Sequence, residues 1–123
     1  MCIRDRTKDL VRSGQLFDAV FCANDQMAVG VLQALGELGI QVPEQVAVMG
    51  NDDIFAASIV KPSLTSIHVP RFEMGAAAMK HMLELIREGA PPAKRKIITL
   101  DTEIVEREST KRGLKNSLQY LDW

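Results

Sequence analysis

Apolar residues recur along this chain with two different periods, and the switch between them marks out its elements. In residues 26–38, Met27, Val31, Leu35 and Leu38 recur at helical spacing with Ala34 between them, before Gly39 supplies a stop. A second stripe of Ala28, Val29 and Leu32 runs round the side of the same helix, more apolar surface than one sheet contact needs. Short unbroken apolar runs at residues 18–23 and 46–49 flank it and read as strands, the first of a kind buried on both faces. Each run stops abruptly at polar residues, Asn24-Asp25 and Asn51-Asp52-Asp53. The unit is strand–helix–strand. A parallel crossover brings both strand ends to one edge of the sheet, so these polar clusters are expected side by side. Open α/β sheets bind ligands at that edge.

The remaining segments extend this pattern. Residues 7–14 read as the last turns of an amphipathic helix closed by Gly14. Residues 1–6 continue no pattern seen later and look like a foreign start. Gly50 is expected to permit the bend that delivers the second polar cluster. Residues 54–60 predict a short helix, 64–69 a third strand, and 70–89 a long helix with Met74, Ala78, Met82, Leu85 and Ile86 on its apolar face. Residues 96–100 and 103–105 predict one or two final strands, and residues 106–115 a charged loop. The fold class is therefore α/β, a parallel sheet with flanking helices.

Composition narrows the chemistry. With 123 residues, 46% hydrophobic and 25% charged, the chain is one ordinary domain's worth, without a membrane span. A net charge of -1 argues against gripping a phosphate backbone. Cys2 and Cys22 lie in unrelated contexts, which fits a reducing compartment better than a disulfide. His68 and His81 fall on different elements with no ligand-spaced partners, so no metal site is expected. Neither a Walker A loop nor a Gly-x-Gly-x-x-Gly fingerprint nor a Gly-x-Ser-x-Gly elbow occurs, so neither a cofactor nor an enzyme is indicated. Lys94-Arg95-Lys96 is too short for a DNA patch.

That leaves the two polar clusters. Adjacent carboxylates in extended chain face opposite sides, so Asp52 and Asp53 should divide their roles. Asp53 is expected to cap the 54–60 helix, leaving Asp52 for the crevice, where a carboxylate suits vicinal hydroxyls or paired N–H donors. Asn24 can hydrogen-bond a hydroxyl in either sense, or simply cap the helix that follows it.

An ordered set of short motifs then resembles the LacI/GalR transcription regulators, whose effector-binding domain is similar to periplasmic sugar-binding proteins. The set runs from Ala19-Val20-Phe21-Cys22-Ala23-Asn24-Asp25-Gln26-Met27-Ala28 through Gly39-Ile40, Val42-Pro43, Val46-Ala47-Val48, Gly50 and Asp52-Asp53. It continues with Pro62, Leu64-Thr65-Ser66-Ile67 and Met74-Gly75, and ends at Glu106-Arg107-Glu108-Ser109-Thr110, covering roughly residues 17–112. The resemblance implies the C-terminal lobe of a type I periplasmic-binding-protein-like fold from residues 7–68 and 98–107. It assigns residues 71–95 to the N-terminal lobe, and leaves the tail at 113–123 without a role. By position it implies effector contacts at Asn24, Asp52 and Arg71, with a sugar or purine-like effector. It implies a homodimer surface at Ala28, Val29, Leu32, Ile59, Val60 and Lys61. The family is cytoplasmic and touches DNA only through an N-terminal helix-turn-helix head, which has no counterpart in these residues. Asn51 departs from the family, which usually has an aromatic there. A transport-type solute-binding protein is the alternative, sharing the crevice but requiring export.

Overall fold

The computed structural model describes residues 2–89 and 96–111. Its helices and strands follow in the order α1 (Ile3–Arg12), β1 (Ala19–Phe21), α2 (Asp25–Glu37), β2 (Ala47–Asp52), α3 (Phe55–Ile59), β3 (Thr65–His68), α4 (Arg71–Glu88) and β4 (Glu103–Val105). The strands form one sheet in the order β1-β2-β3-β4. β1 pairs with β2 in parallel, Phe21 opposite Met49, and β2 with β3 in parallel, Asp52 opposite His68. The expected crossover is therefore present. The chain divides into two units, residues 1–68 with 104–123, and residues 69–103.

In the first unit, the core is built from the inward stripe of α2 and the middle strand. Val31, Leu35, Val48 and Leu64 are fully or almost fully buried, with Phe17, Val20, Ile40 and Val42 packed around them. β1 differs from expectation: it is an edge strand whose Phe21 is 64% exposed, not a strand covered on both faces. The second α2 stripe is also explained within the chain. α1 lies on α2, its Ile3 over Gly30, and Ile3 and Val11 pack on the cluster that contains Ala28 and Leu32. Lys8 and Arg4 pair with Glu37 across the same junction. Residues 3–6 form the first turn of α1. The hydrogen bond from Lys8, followed by the field of Arg4, holds the Glu37 carboxyl below its usual range.

The segment after β4 stitches the sheet together. Ser109 is fully buried; its Oγ–H donates to Val48 O (2.6 Å) and its Oγ accepts from Thr65 N (2.8 Å). Its backbone bonds Val48 N and Ser63 O, both at 2.9 Å. Every polar group of this buried serine that faces β2 and β3 is thus satisfied.

In the second unit, α4 begins after Pro70 and stops at Gly89, whose φ of 67° is the left-handed C-terminal stop that glycine adopts readily. No α4 residue is buried: Phe72 is 84% exposed, and Met74, Met82 and Ile86 are exposed as well. Residues 96–100 carry no strand, so the final strand is β4 alone. Lys94, Arg95 and the tail at 113–123 lie outside the described residues.

Candidate functional site

Two β-strand ends and two loops converge at the C-terminal edge of the sheet. Asn24, in extended backbone, caps α2: its Oδ1 accepts from Met27 N at 2.8 Å. This occupies one lone pair of the amide oxygen and leaves the second, with the Nδ2 donors, for a ligand. Asn24 also walls an open hollow of about 500 Å³ with Cys2, Ile3, Arg6, Gln26 and Met27. Asp52 is not among those walls.

Asp25 does far more than sit in a helix's positive first turn. It is fully buried, with Oδ2 accepting from Ile54 N (2.8 Å) and Oδ1 from the Ser66 hydroxyl (2.6 Å). One carboxylate thereby ties the end of β1 to the loop after β2 and to β3. Gly50 makes this possible: a β-carbon there would fall on Asp25 Oδ1 and press on Leu64 Cδ2. Gly50 lies inside β2, so it is required for close approach, and the bend lies further on.

The bend is made by the aspartates themselves, with φ of 107° at Asp52 and 49° at Asp53. Non-glycine residues occupy this region only when their surroundings hold them there. Asn51 Nδ2 donates to Asp52 Oδ1 at 2.9 Å. Asp53 does not cap the next helix, where Ile54 holds the cap position without a side-chain bond. Its carboxylate instead meets Arg107 Nη2 at 2.8 Å and His68 Nδ1 at 3.0 Å, and its backbone N–H donates to Ser66 Oγ at 3.1 Å. Arg107 is itself anchored on Leu64 O and, through its backbone N–H, on Thr65 Oγ1, both at 2.8 Å. Asp53 is drawn away from the cap position by a distant guanidinium, as an ion pair, and by an imidazole within hydrogen-bond distance.

Nearby, Cys22 is buried, and burial followed by the Asp25 charge pushes its thiol above the ordinary range. Such a thiol is a poor nucleophile at neutral pH. Among the described residues no group of three or more His, Cys, Asp or Glu could hold a metal, and no helix is long and apolar enough to cross a membrane.

Of the implied effector contacts, Asn24 and Asp52 therefore share one sheet edge, while Arg71 opens α4 in the second unit, exposed. Of the implied dimer residues, Ala28 (0% exposed) and Leu32 (8%) are buried within the chain. Val29 and Val60 are half-buried, whereas Ile59 and Lys61 are exposed. The sequence does not show that Asp25, Ser66, His68 and Arg107 form a network, although Asp25, Ser66 and Arg107 each stand in one of the short motifs.

A parallel sheet with a polar C-terminal edge and a crossover helix defines a ligand-binding α/β class. Residues 4–110 match the model of the periplasmic binding protein-like domain. The HTH-type transcriptional regulator RegA of Clostridium acetobutylicum is 43% identical over 76% of this chain, and the repressor PurR of Pasteurella multocida 41% identical over 78%. Among solved structures, a LacI-family transcriptional regulator from Sanguibacter keddieii superposes with a TM-score of 0.83 at 32% identity, over 88% of this chain and 40% of its own. A LacI-family regulator from Arthrobacter in complex with lactose gives 0.80 at 33% identity, over 89% and 40%. The chain belongs to the LacI/GalR family, within its periplasmic-binding-protein-like effector domain. It spans 28% of the length of the two curated relatives.

Proposed function

We propose that this chain is part of the effector-sensing domain of a cytoplasmic transcription regulator, with Asn24 and Asp52 contacting a small molecule. The observation that carries this reading is their common place at the sheet edge, with Asp52 in a left-handed backbone held by its neighbours. A sugar is the first choice of effector: regulators similar to this chain are described in complex with lactose and with cellobiose. A purine is the second, suggested by the likeness to PurR. Vicinal sugar hydroxyls or the paired N–H groups of a purine both suit a carboxylate beside amide donors.

Arg71 is a further proposed effector contact, and residues 71–95 are assigned to the N-terminal lobe of the complete domain. The protein acts as a homodimer through Val29, Ile59, Val60 and Lys61. It contacts DNA through a helix-turn-helix head of the kind for which its relatives are named. Ligand binding shifts the balance between lobe arrangements, and so the spacing of the DNA-binding heads. No chemical step is assigned to it. The relatives being transcription regulators weighs against a transport-type solute-binding protein.

The test is Asp52→Asn in the complete regulator, titrated calorimetrically with lactose, cellobiose and guanine. Loss of a charge-assisted hydrogen bond, about 1.5 to 3 kcal/mol, should weaken binding of the accepted ligand roughly ten- to a hundredfold. Unchanged affinity would remove Asp52 from the site.

A further inference from the structure

Both places where the chain passes between its two units lead to the same carboxylate. The first unit ends at His68 and resumes at Ile104. His68 Nδ1 lies 3.0 Å from Asp53 Oδ2, and Arg107, just after the return, places Nη2 2.8 Å from Oδ1. The Asp53 side chain is 4% exposed, so water screens its ion pair with Arg107 and its contact with His68 little. Its backbone is fixed as well, through the N–H bond to Ser66 Oγ, while Ser66 donates to the buried Asp25. Arg107 cannot drift, because its other nitrogens hold Leu64 O and Thr65 Oγ1. Next to this clamp stand two consecutive residues with φ of 107° and 49°. A backbone of that kind persists only where its surroundings over-determine it.

We infer that Arg107 and His68 are positioning residues for Asp52: by clamping Asp53 they hold the Asn51–Asp53 turn in its left-handed shape and tie it to both inter-unit crossings. The role assigned to Asp52 rests on the effector-binding reading above. The conformational claim does not. Arginine suits the task because its fork can serve Asp53 and Leu64 at once, which the point charge of lysine cannot.

Nuclear magnetic resonance of the 123-residue chain, without ligand, tests this through one-bond Cα–Hα couplings and 13C shifts at Asp52 and Asp53, which report the sign of φ. The unaltered chain should show positive φ at both. Arg107→Met should lose it at Asp52, giving negative or averaged values; Arg107→Lys should be intermediate, and His68→Ala should shift Asp53 more than Asp52. Val31→Ala, a core change that lowers the melting temperature, should leave both residues unmoved, separating positioning from general stability. If Arg107→Met does not fold, Arg107→Lys and His68→Ala decide the matter. Couplings at Asp52 and Asp53 unaltered in the Arg107 and His68 variants overturn the inference while leaving the effector reading intact. Conversely, an Asp52→Asn regulator with full affinity sinks the effector reading without touching this one.

Discussion

Asp25 and Gly50 act as one fitting, a buried carboxylate seated where a side chain is missing. Gly50→Ala should force Asp25 off Ile54 N and Ser66 Oγ, at about 1 to 3 kcal/mol for overpacking. Urea denaturation should show a lower midpoint; an unchanged midpoint would mean that the gap is not needed. The two thiols should differ as well. Cys2 is exposed and should react quickly with a disulfide reagent at neutral pH, whereas Cys22 should react only on unfolding. Because burial raises the Cys22 pKa in the fold, the native chain holds that proton more tightly. The resulting stability is complete below the ordinary thiol pKa and is lost as pH rises through the higher native one. The midpoint of the unaltered chain should therefore fall more steeply above the ordinary thiol pKa than that of Cys22→Ala. At this scale the sequence revealed residue types and their place at a strand end, and the Asn24 cap was readable from position alone. The Asp53 pairings were not, since they join residues far apart along the chain.

Periodicity located α2 and α4 closely, because a stripe along a helix is a local property. It could not say what covers a stripe. The second stripe of α2 reads equally well as an interface with another molecule or with the chain's own elements, and Ala28 and Leu32 are buried in the chain's core cluster. Leu32→Arg should accordingly unfold the chain rather than separate a dimer, by burying an unpaired charge. Ile59 is 55% exposed, so Ile59→Arg should fold normally. If Ile59 belongs to an isologous surface, sedimentation of the complete regulator should show a monomer for that variant. A dimer would exclude this surface. Edge position was equally hidden in the sequence: β1 has the composition of a central strand, and only the strand order leaves Phe21 bare.

Among the described residues the first unit has a well-filled core, whereas α4 has no buried residue. Full burial of Met74, Met82, Leu85 and Ile86 would contribute roughly 6 to 12 kcal/mol, comparable with the net stability of a domain. Hydrogen exchange on the 123-residue chain should show weak protection across residues 74–86 beside strong protection at residues 20–22 and 46–49. Equal protection in a monomer would contradict this. The overall α/β architecture was legible because it rests on alternating strand and helix patterns, whereas the sheet's closure by Ser109 was not, because a lone buried serine leaves no periodic trace. That closure has a consequence for how the protein is made. Ser109 follows Thr65 by 44 residues and bonds both β2 and β3. At 5 to 20 residues per second, a ribosome takes about 2 to 9 s to cover that interval. Throughout it, the nascent sheet lacks the bonds that Ser109 makes to Val48 and Thr65.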